Sequence, residues 1–350
     1  MTRREFGRLA DGRPVHVLSL GAEPGPVVHL LDLGATVHRL EITCGDGVRR
    51  NVALNLPSVD AYLASTTYLG ATIGRYANRI AGGRFVLDGQ PVALGANDRG
   101  NHLHGGPDGF DRRLWSIERH EPDEAEFLLL SPDGDQGYPG NLEARVRFRV
   151  GADRVRIEFG ATTDAPTIVN LTNHAYFNLD GDQAGGIDDH VLLLAADAYT
   201  PVDPSGIPTG EIADVTGTPF DFRSPCPLGT AFRSQHPQVR GARGIDHNVV
   251  LRPDAARDPD RPAAVLTSPR TGTRMALHTD QPGLQVYTGN FLDGSEPSGS
   301  GQLLRQGDGI ALEPQLFPDT PNQPAFGSAR LAPGEEYRAV SEWRFDAVGR

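Results

Sequence analysis

Glu313 stands at the end of a short apolar run and directly before a proline-rich loop, in the segment Gly309–Asn322. A strand there would hold the carboxylate while leaving its surroundings open to a ligand. A lone acid near a strand end is more often simply solvated. Three further segments also place polar side chains in apolar or glycine-rich surroundings: Gly74–Ile80, Asn101–Gly106 and Asn170–Leu179. Together these segments predict one acid/base site assembled from distant parts of the chain.

Two histidines alternate in the second of these segments. On a strand, His102 and His104 would face the same side, and their spacing is also a metal-ligand pattern. The following glycines, Gly105 and Gly106, would let a ligand or another backbone segment approach closely. A structural role, a metal site and a catalytic or substrate-binding role all remain open for this pair.

A third histidine, His174, lies in a run of polar and apolar side chains. Buried amides must be hydrogen-bonded, and here they could hold the imidazole in one tautomer, as a general acid or base requires. The alternative is a hydrogen-bond network in the core. The polar neighbours concerned are Asn170, Thr172, Asn173 and Asn178.

Other polar residues could bind a ligand. Asn78 and Arg79 combine an amide with a fork of donors, which suits hydroxyl groups or a carboxylate, although the arginine could instead support a turn. Asp246 precedes a strand-like segment, where an acid is ordinarily a turn residue. Gln285 shares one strand face with Tyr287 and is either a binding residue or a solvated position.

Composition excludes several classes of function. The net charge of −12 argues against nucleic-acid binding and against an anionic membrane surface. All 33 basic residues are arginine, which excludes a Schiff-base lysine and the lysine of a P-loop. Two cysteines, Cys44 and Cys226, are too few for a disulfide framework and are expected to be reduced. With no secretory or membrane-spanning run, we expect a soluble cytoplasmic protein.

The elements that position these residues read as strands. Glu143–Val150 alternates apolar and polar residues, Gly151–Asp153 forms a turn, and Arg154–Phe159 alternates again, which predicts an antiparallel hairpin with one buried face. Turn signals recur, for example at Asp88-Gly89. Helical patterns are scarce, apart from a short helix predicted after an N-cap at Ser58. We therefore predict one all-β domain over residues 1–350, because splitting the chain would split the site.

Taken together, the polar segments closely resemble the aldose 1-epimerase family, also called galactose mutarotases. Each motif is weak by itself, but the set occurs in the family's order and covers about Leu69 to Asn322. The motifs are Gly74–Ile80, Leu103–Gly106, Asn170–Leu179, Gly244–His247, Gln285–Leu292 and Leu312–Gln315 with Pro318-Asp319.

The resemblance implies a large antiparallel β-sandwich, the galactose mutarotase-like supersandwich, with few short helices. It also implies interconversion of the α and β anomers of a free aldose such as galactose or glucose, with no cofactor and no metal. By position, Glu313 resembles the family's general base, His174 its general acid and His104 a second histidine at the ring oxygen. The positions expected to bind the sugar are Asn78, Arg79, His104, Tyr176, Asp246 and Gln285.

Three other functions compete with this interpretation. A non-catalytic carbohydrate-binding module would usually expose an aromatic platform, yet Trp115 and Trp343 both lie outside the motifs. An epimerase acting on a sugar phosphate would need extra cations, which Arg112 and Arg113 could supply. A metal-dependent hydrolase would use His102, His104, His174 and Asp246.

The preferred aldose stays open, as does the choice between monomer and homodimer.

Overall fold

Strands dominate the secondary structure of the computed structural model, which describes residues 2–258 and 260–348. In chain order, the first strands are β1 (Thr2–Arg8), β2 (Pro14–Gly21), β3 (Val27–Leu31), β4 (Thr36–Thr43), β5 (Arg49–Asn51), β6 (Thr72–Ile73), β7 (Arg79–Ile80), β8 (Arg84–Leu87), β9 (Gln90–Ala93), β10 (His102–Leu103), β11 (Ser116–His120), β12 (Glu124–Ser131), β13 (Leu142–Val150), β14 (Arg154–Thr163) and β15 (Thr167–Ile168). The others are β16 (Thr172–Asn173), β17 (Tyr176–Phe177), β18 (Val191–Leu194), β19 (Ala196–Tyr199), β20 (Ala213–Asp214), β21 (Cys226–Pro227), β22 (Asp246–Leu251), β23 (Ala264–Ser268), β24 (Thr273–Thr279), β25 (Gly283–Tyr287), β26 (Asp293–Pro297), β27 (Leu303–Arg305), β28 (Ile310–Gln315), β29 (Arg330–Leu331) and β30 (Tyr337–Ala347).

The helices are few and short. Ser58 accepts a hydrogen bond from the Ala61 amide at the start of the first one, which confirms the predicted N-cap. Within the described residues, no helix has both the length and the apolar character needed to cross a bilayer. The α-helices are α1 (Val59–Ala64), α2 (Leu228–Phe232), α3 (Pro237–Ala242) and α4 (Pro253–Arg257). Single 3₁₀ turns occur at Ala81–Gly83, Phe110–Arg112, Asp135–Gly137, Thr320–Asn322 and Pro324–Phe326.

Most of the strands belong to three sheets. One has the order β1-β2-β3-β4-β5, the second β11-β12-β13-β14-β30-β24-β23-β18-β21, and the third β17-β28-β25-β22-β19-β20. Between the named strands of the described part of the chain, every pairing is antiparallel. This architecture confirms the predicted all-β class.

The predicted hairpin is formed by β13 and β14. Phe148 pairs with Ile157 and Val146 with Phe159, and all four side chains are buried. The intervening arginines lie on the opposite face and pair with acids of neighbouring strands, as in the 2.7 Å contact between Arg149 and Glu124. Alternating apolar and charged residues therefore give this sheet one core face and one outer face.

The apolar faces of the nine-stranded and six-stranded sheets share one core. Trp343 of β30 meets Phe177 of β17 edge to face, with ring centroids 4.9 Å apart. On the six-stranded sheet, Val286 and Leu312 also belong to this core. Because side chains alternate along a strand, the residue next in sequence to each, such as Glu313, faces the other side of the sheet. That second face carries the candidate site.

Candidate active site

Three predicted polar residues lie on adjacent strands and face one cleft of about 740 Å³. Gln285 of β25 stands opposite Glu313 of β28, and Asp246 begins β22 on the other side of β25. Neighbouring strands are about 4.8 Å apart, so Gln285 and Glu313 lie side by side. Asp246 pairs with Tyr287 and stands diagonally from Gln285, which makes the three side chains a short oblique row. The cleft is large enough for a small-molecule ligand.

Loops with unusual backbone conformations form the opposite wall. Nine described residues other than glycine have positive φ, and five of them line the cleft. Such conformations are strained for most side chains and concentrate at functional sites. The five are Tyr68, Asn78, Arg99, His104 and Arg243.

Glu313 and His174 meet at the bottom of the cleft. Their side chains are almost fully buried, and Oε1 of Glu313 lies 3.6 Å from Nε2 of His174. Burial, and then the negative charge of Asp246, raises the pKa of Glu313 well above its ordinary value. Burial also lowers the pKa of His174 to about 4. In the absence of ligand, the neutral forms of both groups are therefore favoured.

His104 is fixed as a hydrogen-bond donor. Its Nδ1 accepts a hydrogen bond of 3.0 Å from the backbone amide of Asn78, so the proton of the neutral ring is on Nε2. Ligand atoms of His104, His174 and Glu313 all lie within 4.8 Å of one another, which is close enough to consider a metal. A metal-binding nitrogen must carry no proton, however, so a metal at Nε2 of His104 would have to break the bond to Asn78. With the proton on Nε2, His104 can donate to a ligand oxygen.

The prediction that His102 and His104 share one face is wrong. β10 ends at Leu103, and His104 turns away with a φ of +50°. His102 instead hydrogen-bonds the Gly95 carbonyl at 2.6 Å and the Tyr138 hydroxyl at 2.7 Å, behind the cleft. The metal-ligand set that included His102 is therefore not assembled.

The amides near His174 do not hold its imidazole. Asn173 donates to the Gly70 carbonyl, and Asn170 bonds Ala77 and Leu316. These side chains tie the backbones of separate segments together, and Nδ1 of His174 has no partner among the described residues. The ring itself is stacked on Tyr176, with centroids 4.9 Å apart.

The polar row continues into a buried ion-pair network. Gln285 donates to Oδ1 of Asp246 at 2.7 Å. The Arg79 side chain donates from Nε to Asp98 at 2.8 Å, and its Nη1 lies 3.8 Å from Oδ2 of Asp246. Although burial opposes the charge, Asp246 and Asp98 hold the pKa of Arg79 above its ordinary value. The cleft thus carries a permanent cation beside a carboxylate.

Two polar atoms in this row are buried without a partner among the described residues, namely Oε1 of Gln285 and Oε2 of Glu313. Buried polar atoms are normally satisfied, and two such acceptors side by side match the hydroxyl groups of a ligand. Donors are available to them, since Arg79 of β7 and His104 line the same cleft.

All predicted sugar-binding residues line this one cleft, including Tyr176, whose hydroxyl donates to the Thr67 carbonyl at 2.9 Å. The sequence did not single out Tyr68 or Phe291, which also line it. Tyr68 directly precedes the glycine-rich run Leu69–Gly74, and that adjacency is the signal that could have found it. Phe291 lies within the motif Gln285–Leu292, and that position is the signal that could have found it.

The residues on which the competing functions depend lie elsewhere or have other partners. Arg112 lines the cleft, but its terminal nitrogens donate to the carbonyls of Leu63 and Ser65. Arg113 pairs with Asp108 and Asp135 and does not line the cleft. Neither tryptophan lines the cleft, because Trp115 and Trp343 are buried in the core.

The chain is similar to known proteins over nearly its whole length. Over 340 residues, the chain is 42% identical to the aldose 1-epimerase of Escherichia coli (strain K12), which covers 96% of this chain and 97% of the relative. It is 38% identical to the galactose mutarotase of Homo sapiens over 349 residues, or 99% of each chain.

Solved structures share the fold. A galactose 1-epimerase from Lactobacillus acidophilus superposes with a TM-score of 0.86 at 31% identity, covering 99% of this chain and 98% of the other. The GalM/aldose epimerase homologue from C. elegans gives a TM-score of 0.87 at 29% identity, covering 95% and 99%. The predicted mutarotase-like sandwich is thereby confirmed. The family profile described as aldose 1-epimerase matches residues 16–344, and this chain therefore belongs to the aldose 1-epimerase family.

Proposed function

We propose that the protein interconverts the α and β anomers of a free aldose, such as galactose or glucose, with Glu313 as general base and His174 as general acid. One observation carries the assignment of roles: a carboxylate oxygen and an imidazole nitrogen lie 3.6 Å apart at the bottom of a polar cleft. The C1 hydroxyl and the ring oxygen O5 of a pyranose are bonded to the same carbon. A base and an acid that act on them must therefore be close neighbours.

Ring opening transfers two protons. Glu313 removes the proton from the C1 hydroxyl, and the O1 electron pair forms the C1=O1 bond. The C1–O5 bond breaks, and its electron pair on O5 takes the proton that His174 holds on Nε2. The open-chain aldehyde rotates about C1–C2, and ring closure on the other face reverses both transfers. Each well-placed acid or base contributes roughly 10²–10⁴-fold to the rate.

The protonation states of Glu313 and His174 suit this order of proton transfers. Before opening, Glu313 is a carboxylate and His174 an imidazolium; afterwards both are neutral, and the pair still holds one proton. Burial favours the neutral forms, because it raises the pKa of Glu313 and lowers that of His174. The dry bottom of the cleft therefore stabilises the protonation state that accompanies the open chain.

The remaining polar residues would bind the sugar away from C1. Arg79, Asp246 and Gln285 present a donor and acceptors on one side of the cleft. Nε2–H of His104 would donate to the ring oxygen, because its Nδ1 is occupied by the Asn78 amide. Gripping the distant hydroxyls leaves C1 free to rotate, as the reaction requires. The ring of Tyr176 supports His174 from below.

Two competing functions have little support. The cations predicted for a phosphorylated sugar are Arg112 and Arg113, and both are engaged by carbonyls or carboxylates. A metal-dependent hydrolase would need His102, which bonds Gly95 and Tyr138 instead.

We further propose that residues 1–350 work as one domain, because the cleft draws on residues from Ser65 to Glu313. The two cysteines are free, which fits a reducing compartment such as the cytoplasm. Cell fractionation would test the compartment. Sedimentation analysis would distinguish the monomer from the homodimer.

Polarimetry tests the proposed activity directly. Freshly dissolved α-D-galactose and α-D-glucose are followed with and without the protein, and again with excess EDTA. We expect faster approach to the same equilibrium rotation, unaffected by EDTA. If neither these sugars nor a panel of other aldoses were accelerated, the proposed function would be wrong.

A further inference from the structure

Tyr68 touches both histidines of the candidate site. Its ring meets His104 edge to face, with centroids 4.7 Å apart, and lies nearly parallel to the His174 ring at 5.9 Å. Tyr176 also stacks on His174, at 4.9 Å and with the same interplanar angle of 27°. The His174 ring is therefore contacted by two tyrosine rings, Tyr68 and Tyr176, both nearly parallel to it. Tyr68 therefore lies where the reacting end of the sugar would be.

The backbone of Tyr68 is held in a conformation that aromatic residues avoid. Its φ is +56°, in the left-handed region, and such a residue costs about 1–3 kcal/mol unless the surroundings impose it. Here the surroundings do. The Ala71 amide donates to the Tyr68 carbonyl at 3.0 Å, and the Tyr176 hydroxyl donates to the preceding carbonyl, that of Thr67. The whole loop serves to place this ring.

Arg112 fastens the same loop from the other side. Its two terminal nitrogens donate to the carbonyls of Leu63 and Ser65, at the C-terminal end of α1. Because a guanidinium has several donors in a fixed plane, it fixes the two carbonyls relative to each other. The arginine thereby helps to hold the segment that leads into Tyr68.

The Tyr68 hydroxyl makes no hydrogen bond within the described part of the protein. The other two cleft tyrosines are engaged, because Tyr176 donates to Thr67 and the Tyr287 oxygen accepts from the Phe291 amide at 2.9 Å. Burial raises the pKa of Tyr68 above its ordinary value, so at neutral pH this hydroxyl keeps its proton and can donate.

Building on the proposed function, we propose that Tyr68 is a further catalytic residue, whose hydroxyl donates a hydrogen bond to the ring oxygen of the aldose. The geometry that assigns this partner is the contact of its ring with both His104 and His174, the two side chains placed at that oxygen. Charge grows on O5 as the C1–O5 bond breaks. A donor there stabilises the transition state more than the bound sugar.

Tyr68→Phe removes the hydroxyl and keeps the ring contacts. The loss of one neutral hydrogen bond that strengthens in the transition state should lower kcat roughly 10-fold, with KM nearly unchanged. A merely structural tyrosine would leave kcat unaltered in this variant. Tyr62→Phe is the matched control, because Tyr62 hydrogen-bonds His38 and the Leu56 amide outside the cleft and its variant should keep the parent kcat.

A second variant tests the contact with His174. Tyr68→Asn removes the ring but suits a positive φ, and it admits water to the imidazole. The acid limb of the kcat profile should then move to higher pH, because desolvation is what lowers the pKa of His174.

The outcomes separate the two proposals. A parent protein without mutarotase activity would refute the proposed function. An active parent whose Tyr68→Phe variant is folded and keeps full kcat would refute the role of the hydroxyl. An unshifted acid limb in folded Tyr68→Asn would refute the contact of its ring with the catalytic imidazole.

Discussion

Replacing Glu313 with glutamine isolates the chemistry of the base, because the two side chains have the same shape. Burial already favours the neutral acid in the free protein, as the raised pKa of this carboxyl shows. A neutral amide should therefore fit the same place, and the folded state should be at least as stable as in the parent. The amide cannot take the C1 proton, so only the catalytic step should suffer.

The expected loss follows from the value of one general base. A base of this kind contributes roughly 10²–10⁴-fold, which corresponds to about 2.7–5.4 kcal/mol of transition-state stabilisation. Binding should change much less, because Arg79, Asp246 and Gln285 keep their positions and the amide oxygen still accepts a hydrogen bond. We expect kcat to fall by the whole factor while the Kd of the sugar stays within about tenfold.

Polarimetry gives kcat, and calorimetric titration with anomerically equilibrated sugar gives Kd. Glu342→Gln is the matched control: Glu342 is another buried glutamate on a strand, but it pairs with Arg156 on the sheet face away from the cleft. That variant should keep the parent kcat. A folded Glu313→Gln protein with near-parent kcat would refute the assignment of the base, and so would an equal loss in both variants.

Three other predictions use the same assays and equilibrium unfolding. The kcat profile against pH should be a broad plateau. It should fall on the acid side near the His174 pKa of about 4, and on the alkaline side at a pH well above the ordinary pKa of a glutamate. A profile with a single step would contradict a pair of groups that shares one proton. Arg79→Lys should raise KM by roughly 10- to 100-fold, because one ammonium cannot serve both carboxylates that face the guanidinium, and an unchanged KM would remove Arg79 from sugar binding. Burial raises the pKa of Asp111 to about 7, so this group should cost the fold about 1.4 kcal/mol per pH unit as pH rises from about 4 to 7. Asp111→Asn should make the decline in the free energy of unfolding shallower by that amount, and an equal decline in the variant and the parent would exclude Asp111 as a source.

Local sequence patterns were sufficient for the regular part of the fold. The β13–β14 hairpin follows from strict alternation. Asp88-Gly89 forms the two-residue turn between β8 and β9 with both φ values positive, as this pair favours. The site could be predicted as a set of residues because each motif in the chain matches the family in order. Glu313 could be placed on a strand because apolar residues lead up to it.

The direction of individual side chains could not be predicted in this way. The side chains of His102 and His104 point in different directions because β10 ends at Leu103 and His104 adopts a left-handed backbone conformation. A histidine in the sequence does not predict that conformation. The glycine after it makes room for backbone rather than ligand: a Cβ on Gly105 would lie 1.8 Å from the Gly74 carbonyl oxygen. The amide of Asn170 finds partners at Ala77 and Leu316, each far away along the chain. Such contacts depend on the tertiary fold.

The cross-strand pairing of Gln285 with Glu313 also makes catalytic activity a sensitive measure of correct strand register. A shift of β28 by one position would turn Leu312 or Pro314 into the cleft, and a shift by two would bring Ala311 or Gln315. None of these side chains can accept the proton, so a misaligned molecule would lose at least the roughly 10²–10⁴-fold contribution of the base. In a refolding experiment, specific activity would therefore measure the fraction of molecules in which β25 and β28 are paired in the native register.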